Sequence, residues 1–197
     1  MNRQDARVRV TKSMFHSALL SMLKEMPIGK VSVKTLCEKA CLNRGTFYLH
    51  YSQPSDVLKE IENDFIEENM AAFDSYWENQ RDIGMMTKIF TCIMEHKDVS
   101  RTLLSGNGDF QFQRSLMHLC REGIIDEWQK EFPVYERECL DFLFDYVFSG
   151  SIRLILNWID DDGGLSIAAF TQRLERLGHY SLVAAGEFLG PSTHKTD

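Results

Sequence analysis

The chain has 197 residues, of which 44% are hydrophobic and 26% charged, and its formal net charge is −7. This hydrophobic content is typical of a globular protein and excludes a chain that is disordered over most of its length. Charges break the apolar runs well before the roughly 18 residues that a membrane span needs, so no membrane segment is predicted. Residues 1–7 are polar and lack the apolar core of a signal peptide, and we expect a cytoplasmic protein.

Hydrophobic periodicity predicts helices throughout the chain and strands nowhere, which indicates an all-α fold. The first helix is predicted from Thr11 to Met26, and Pro27 stops it. A short second helix is predicted to end at Ala40. Ser32 is its N-cap, because a serine oxygen accepts a hydrogen bond from an N–H group that the first turn of a helix leaves unpaired.

The next residues predict a turn and a third helix. Cys41 and Leu42 form the turn, and Asn43 caps a helix from about Arg44 to Tyr51. Two short helices joined in this way form a helix-turn-helix, whose second helix enters the DNA major groove.

The charge is divided unevenly along the chain. Residues 1–53 hold nine Lys and Arg against three Asp and Glu, a balance of +6, whereas residues 54–197 have a balance of −13. A basic module on an acidic body is typical of a polyanion-binding head attached to a part that avoids DNA. We therefore predict a helix-turn-helix DNA-binding domain at residues 1–53 and a larger helical domain at residues 54–197.

The body is also predicted to be helical. Pro54 fits the first turn of a long fourth helix to about Trp77, where its missing N–H costs nothing. Further helices are predicted at about 82–96, 98–104, 110–131, 135–160 and 165–188. The last two are apolar on more than one side, so they must be covered from more than one side. Either they form the centre of a single bundle or a partner subunit covers them; we favour the subunit, because symmetric dimers are common.

The five cysteines predict no metal or redox site. They are Cys37, Cys41, Cys92, Cys120 and Cys139, an odd number without a C-x-x-C pair. Most fall on predicted apolar helix faces, which favours reduced, buried thiols. No second Cys or His pair lies near the first two to complete a tetrahedral zinc site, and no other cofactor is predicted.

The helical period assigns the side chains of the third helix to two sides. Phe47 and Tyr51 are predicted to face the core of the three-helix head. The predicted DNA-binding residues lie on the other faces and at the helix starts: Ser32, Lys34, Asn43, Arg44, Gly45, Thr46, Tyr48, Leu49 and His50.

Each of these residue types suits a particular contact. Arg44 can donate two hydrogen bonds to guanine O6 and N7, and Thr46 can reach a base edge or a thymine methyl group. Tyr48 and His50 can donate to phosphate oxygens, which fixes register without reading sequence. Lys34 can hold the flanking backbone, although a solvated charge is the more ordinary role of an exposed lysine.

The ordered string is more specific than its parts. Val31-Ser-Val-Lys-Thr-Leu-Cys-Glu-Lys-Ala40, followed by Cys-Leu-Asn-Arg-Gly-Thr-Phe-Tyr-Leu-His-Tyr51, resembles the tetracycline-repressor (TetR) family of transcriptional regulators over about residues 10–58. The later segment from Tyr146 to Ile159 looks like the C-terminal domain common among Firmicutes members of that family.

The resemblance implies a homodimer held by a four-helix bundle from the last two long helices. It also implies double-stranded DNA with a palindromic operator as the partner, and a cavity for a small-molecule effector in the body. A ligand would shift the two heads between states of different operator affinity. Repression relieved by ligand is the usual pattern of the family.

Two positions depart from the family pattern. The family usually has glycine in the turn, where this chain has Cys41; a left-handed conformation costs a non-glycine residue about 1 kcal/mol or more. The family often has a phosphate-gripping lysine at the start of the fourth helix, where this chain has Pro54. Losing one phosphate contact is expected to make the slope of log affinity against log salt concentration shallower by about one unit. The basic N-terminal arm either compensates or is a solvated tail.

Met and aromatic residues of the body are candidates for the effector cavity, since adaptable Met and aromatic side chains line apolar pockets. The predicted set is Phe90, Met94, Met117, Trp128 and Phe144, and the wider set adds Met85, Met86 and Phe112. Each of them also fits an ordinary core position.

Two other functions remain as alternatives. The first is a coactivator-like protein that uses the same fold to bind a protein partner rather than an operator. The second is an enzyme, but the sequence has no Ser-His-Asp arrangement, glycine-rich phosphate loop or paired metal-ligand motif. We therefore expect no catalytic residues.

Overall fold

The structure is a computed structural model that describes residues 3–78, 83–105, 110–161 and 164–189. Across these ranges the chain forms nine α-helices and one 3₁₀ turn at Ile28–Lys30, without a strand. The helices are α1 (Arg3–Leu23), α2 (Val33–Ala40), α3 (Arg44–Tyr48), α4 (Pro54–Glu78), α5 (Ile83–Glu95), α6 (Lys97–Leu104), α7 (Phe110–Glu131), α8 (Arg137–Asp160) and α9 (Ile167–Leu189). The prediction of an all-α fold is confirmed.

The bounds of α1 differ from the prediction at both ends. The helix already includes Arg3, because residues 3–10 contain good helix formers and no breaker, although they lack an apolar stripe. It ends at Leu23, where the Met22 carbonyl accepts from the N–H groups of both Glu25 and Met26 and so closes a turn before Pro27. Periodicity located the buried face of this helix but not its ends.

The contacts divide the chain into two compact units. The first contains Met1–Ala71 and His96–Gln113, and the second contains Ala72–Glu95 and Arg114–Asp197. The boundary at Ala71 falls inside α4. Since the first unit also includes His96–Gln113, α6 belongs to the same unit as α1. The predicted domain boundary between residues 53 and 54 separates a DNA-binding part from the rest of the chain. These two compact units do not test it, and it stays a prediction.

The core of the first unit is apolar and aromatic. Its fully buried side chains include Phe15, Leu19, Leu23, Leu36, Phe47 and Val57, which come from α1 to α4. The α1–α6 packing carries an ion pair between Lys24 and Asp98 at 3.0 Å. Burial of a large aliphatic or aromatic side chain contributes about 1.5–3 kcal/mol, so these contacts are what hold the short helices α2 and α3 in place.

The second unit has a core in which α7, α8 and α9 meet. Its buried members are Cys120, Ile125, Trp128, Leu140, Leu143, Phe144, Leu182 and Ala185. Arg121 on α7 joins α8 at the edge of this core: its guanidinium pairs with Asp141 at 2.6 Å and with Asp145, and lies 4.8 Å from the Phe144 ring centroid. In the described part of the chain, no helix combines the length and apolar character needed to cross a bilayer.

Candidate nucleic-acid interface

The start of α2 is fixed by a reciprocal pair of hydrogen bonds. Ser32 Oγ accepts from the Thr35 N–H at 3.1 Å, and Thr35 Oγ1 accepts from the Ser32 N–H at 3.2 Å. This capping box satisfies two N–H groups that the first helical turn leaves unpaired. The predicted N-cap at Ser32 is confirmed, and its hydroxyl is engaged within the chain.

The turn between α2 and α3 is a left-handed helix end. Cys41 has φ 55° and ψ 35°, and it is the only non-glycine residue with positive φ among the described residues. The Leu42 N–H donates to the Cys37 carbonyl at 3.0 Å, and the Cys41 N–H donates to the Glu38 carbonyl at 3.2 Å. This pair of bonds is a Schellman motif, which glycine favours because it has no Cβ. The expected turn therefore forms with cysteine in the left-handed position.

The start of α3 depends on Asn43 and Gly45. Asn43 Oδ1 accepts from the Thr46 N–H at 2.7 Å and from the Thr46 hydroxyl at 3.1 Å. A Cβ atom on residue 45 would lie 3.2 Å from this same Oδ1, so a side chain there would crowd the cap. The predicted cap at Asn43 is confirmed, and the absence of a side chain at Gly45 gives the cap its space.

The inner side of α3 is anchored by aromatic rings. Phe47 is fully buried and Tyr51 is 7% exposed. The Phe15 ring from α1 meets both edge-on, with centroids 5.4 Å from Phe47 and 6.0 Å from Tyr51. The predicted inward direction of these two residues is confirmed. The α-helix itself ends at Tyr48 rather than at Tyr51, and a tighter turn follows, in which the His50 N–H donates to the Phe47 carbonyl at 3.0 Å.

The outer side of α3 and the turn after it carry predicted DNA-binding side chains of different exposure. Tyr48 is 60% exposed and Leu49 79% exposed. Arg44 is exposed as well, whereas Thr46 and His50 are half-buried. The Tyr48 ring meets the buried Phe47 ring edge-on with centroids 5.5 Å apart, while most of its surface stays exposed.

On α2, Lys34 is exposed, and its Nζ lies 3.9 Å from Glu38 Oε1. Such a loose surface pair contributes little to stability, so the lysine is available to another anion.

The chain after α3 is held by two carboxylates of α4 that the sequence did not single out. Asp56 Oδ2 accepts from the N–H groups of Ser52 at 2.8 Å and Gln53 at 3.0 Å. Glu60 Oε2 accepts from the Tyr51 hydroxyl at 2.5 Å. Their spacing of four residues on one helix face was the available signal, but it does not say which partners they meet.

These contacts change the titration of three groups. The backbone N–H group of Ser52, followed by that of Gln53, lowers the pKa of Asp56. Burial and the bond to Glu60 raise the pKa of Tyr51. Burial alone would raise the pKa of Glu60, but hydrogen bonds from Lys12 and Tyr51 and the charge of Lys12 outweigh it and lower this pKa.

The predicted effector residues divide between two places in the second unit. Trp128 and Phe144 are buried in the α7–α9 core, and Met117 packs against it. Phe90 lies elsewhere, edge-on to Trp158 and Phe170, which stack on each other with centroids 4.3 Å apart. Met94, one turn after Phe90 on α5, is half-buried.

Two members of the Phe90 cluster, Trp158 and Phe170, were not predicted, because their contact depends on the packing of α5, α8 and α9. Met85 lies outside the residues whose side chains are described, and Phe112 is buried in the first unit against Phe65.

The described residues therefore form an all-helical fold whose first unit contains a helix-turn-helix. Residues 83–180 match the TetR-type family described as the transcriptional regulator C-terminal region. The chain is 22% identical over 168 residues to an HTH-type transcriptional regulator, YxbF, of Bacillus subtilis. That match covers 81% of this chain and 42% of the relative, so the chain spans less than half of the relative's length.

Solved structures share the fold. A TetR transcriptional regulator from Streptococcus agalactiae superposes with a TM-score of 0.60 at 22% identity, covering 92% of this chain and 97% of that one. FadR of Thermus thermophilus, a TetR-family repressor solved in complex with lauroyl-CoA, gives 0.50 at 14% identity, covering 86% and 94%. The chain belongs to the TetR family, which is a family of transcriptional regulators rather than of enzymes.

Proposed function

We propose that this chain is a dimeric, cytoplasmic transcriptional repressor that a small-molecule effector releases from a palindromic operator. The observation that carries the proposal is the outer face of α3. Tyr48, the last residue of α3, and Leu49, which follows it, are large, exposed side chains, and the inner face of this segment is fixed by buried aromatic rings. An exposed helix of this kind, next to an Arg at its start, suits entry into a major groove.

The roles of the individual residues follow from their positions. Arg44 at the N-terminal end of α3 reads guanine through its forked donors, and Thr46 reads the neighbouring base. Tyr48, His50 and Lys34 hold phosphates. Ser32, Asn43 and Gly45 contribute through the helix starts, where free N–H groups favour phosphate, and Leu49 offers an apolar contact to a thymine methyl group.

A dimer is supported by an exposed apolar stripe on α8 and α9. Phe142 and Tyr146, four residues apart on α8, are 67% and 68% exposed, and Leu154 lies eight residues further along the same helix. Leu177, Tyr180 and Val183 are exposed on α9, which packs against α8. Apolar surface concentrated in this way marks an interface, and a two-fold axis would cover the same stripe on both copies.

The effector is proposed to be an apolar small molecule. Met117, Trp128 and Phe144 pack in one apolar core, and Phe90 packs in a second aromatic cluster on the same unit; adaptable or aromatic side chains of this kind suit apolar ligands. The structure of Thermus thermophilus FadR with lauroyl-CoA supports a ligand with an apolar chain in this fold.

The test is DNA selection followed by fluorescence anisotropy. Wild-type protein selects duplexes from a random-sequence library, and affinity for the selected palindrome is compared with that for a scrambled duplex at several salt concentrations. Arg44→Ala is expected to lower the specific affinity by about 5- to 150-fold, which is about 1–3 kcal/mol. Tyr48→Phe is expected to weaken binding to both duplexes alike, because it removes a phosphate donor.

Arg114→Ala is the matched control, since this exposed arginine of α7 carries the same charge outside the helix-turn-helix. Selection of no sequence by the wild type would contradict the proposal. Equal effects of the two Arg→Ala variants would contradict the role of Arg44.

A protein-binding coactivator is the second candidate, and one observation favours it. The carboxylate of Asp56 occupies the start of α4 and holds the N–H groups of Ser52 and Gln53. A negative charge therefore stands where a phosphate contact would need a positive one. Salt-dependent binding to a selected palindrome separates the two candidates, since a coactivator would show neither selection nor a steep salt slope.

A further inference from the structure

Tyr51 ends the segment of residues 44–51 that carries the DNA-facing side chains, and its hydroxyl is tied to two other helices. It donates to Glu60 Oε2 on α4 at 2.5 Å and lies 3.4 Å from His16 Nε2 on α1. The ring is packed edge-on against Phe15 and is almost fully buried. The position of this ring therefore sets where the segment lies against α1 and α4.

Glu60 is the centre of this network because both of its carboxylate oxygens are used. Oε1 accepts from Lys12 Nζ at 2.5 Å, and Oε2 accepts from Tyr51 and lies 3.5 Å from His16 Nε2. The side chain is partly buried, and its pKa is lowered because the hydrogen bonds from Lys12 and Tyr51 outweigh the effect of burial. Hydrogen bonds to an ionised carboxylate are about twice as strong as neutral ones.

Asp56 adds a second attachment one helical turn earlier on α4. It holds the backbone N–H groups of Ser52 and Gln53, so α4 contacts three successive residues, 51 to 53, directly after the DNA-facing segment. Asp56 binds only the backbone of Ser52 and Gln53. Glu60 binds the Tyr51 side chain, whose ring packs in the core beneath residues 44–51. Of the two, Glu60 is the one that contacts a side chain of the segment 44–51.

We propose that Glu60 is a positioning residue for operator recognition, which holds α3 through the Tyr51 hydroxyl and thereby sets discrimination between DNA sequences. The inference rests on the proposed DNA-binding function. Base-edge hydrogen bonds weaken steeply with small errors in distance and angle, whereas phosphate contacts act through charge and tolerate such errors. Loss of the Glu60–Tyr51 bond therefore lowers specific affinity more than general affinity for DNA.

Tyr51→Phe is the mildest test, since it removes one oxygen and keeps the packed ring. Specific affinity for the duplex selected by the wild type is expected to fall about 10-fold, the scale of one lost charge-assisted hydrogen bond. Affinity for a scrambled duplex should change less than about two-fold, with the same salt slope, because no phosphate contact is removed. Glu60→Ala should give the same pattern, and the double variant should lose no more than Glu60→Ala alone, because both single changes remove the Glu60–Tyr51 bond.

Glu60→Gln and Glu67→Ala are the matched variants. The glutamine amide oxygen still accepts from Tyr51, so this variant should keep its discrimination within about three-fold of the wild type. Glu67 is exposed on the same helix, and its removal subtracts the same negative charge from α4. A rise in affinity caused by charge alone will appear in Glu67→Ala and can be subtracted.

Amide hydrogen exchange of the DNA-free protein gives a readout that does not need an operator. Exchange at residues 44–53 should accelerate in Tyr51→Phe and Glu60→Ala while residues 33–40 of α2 keep their protection. Unchanged exchange at 44–53, unchanged discrimination in folded variants, or an equal loss of specific and non-specific affinity would each overturn the inference. A wild type without sequence preference would instead refute the proposed function, and hydrogen exchange would still test the coupling.

Discussion

Cys41 shows how a single residue can depart from the usual choice without changing the turn. Its left-handed backbone costs an L-residue about 1–2 kcal/mol, while glycine at the same place costs about 0.4–1 kcal/mol through its freer unfolded state. Cys41 is exposed, so replacing its side chain removes little packing. Cys41→Gly is therefore expected to unfold at a higher urea concentration than Cys41→Ala, by about 0.5–1 kcal/mol in free energy.

The alanine variant is the reference, because it also lacks the thiol but keeps a Cβ in the left-handed position. Cys41→Val is expected to be less stable than both, since a branched side chain tolerates positive φ poorly. Equal stability of the glycine and alanine variants would mean that the turn relaxes away from φ 55° in solution.

The residue scale also separates what the sequence could predict from what it could not. The caps Ser32 and Asn43 and the inward rings Phe47 and Tyr51 follow from local rules, because each depends on neighbours within one helical turn. The Lys12–Glu60 pair joins residues 48 positions apart, and its partners are chosen by the packing of α1 against α4. Local sequence patterns therefore predicted the helix caps and the buried rings of the candidate interface, but not the hydrogen-bond network between α1, Tyr51 and α4.

At the scale of elements, the start of α4 depends on the Asp56 carboxylate. The N–H groups of Ser52 and Gln53 lower its pKa, so the charged form is favoured in the folded protein. Its contribution to stability is therefore fully present above the unfolded pKa of about 4 and is lost as the pH falls through the lower folded pKa. Asp56→Asn is expected to be less stable than the wild type by about 0.5–1 kcal/mol at pH 7, and this difference should shrink as the pH falls below about 4.

Urea unfolding of both proteins at a series of pH values between 3 and 7 measures this difference. The asparagine keeps an acceptor oxygen but does not titrate, which isolates the charge. Glu67→Gln removes a negative charge from the exposed surface of the same helix and corrects for net charge. A difference that is constant across the pH range would assign the effect to geometry rather than to ionisation of Asp56.

The same contrast between local and long-range information holds for whole elements. The predicted long helix from Pro54 and the five helices after it match the structure within a few residues, since proline, glycine and acidic breaks are local signals. Which helices share a core is not local. The arrangement of α6 with α1 in one unit, and of Phe90 with Trp158 and Phe170 in the other, follows from packing between segments that are far apart in the sequence.

At the scale of the whole molecule, the apolar stripe on α8 and α9 predicts the oligomeric state. A charge placed in the centre of a covered apolar face would be desolvated without a partner, which costs several kcal/mol. Tyr146→Asp and Tyr180→Asp are therefore expected to convert the proposed dimer into a monomer in sedimentation velocity experiments at micromolar concentration. Val134→Asp is the control, since Val134 is as exposed as Tyr146 but lies between α7 and α8.

The monomer should also bind the operator poorly, because the second head no longer benefits from the high effective concentration that the first contact provides. Affinity for the selected palindrome should fall by about 100-fold or more, while affinity for an isolated half-site should stay near that of the wild type. A dissociated variant that keeps full palindrome affinity would show that the heads assemble on DNA through another surface. A variant that stays dimeric would show that the dimer interface does not include the α8–α9 stripe.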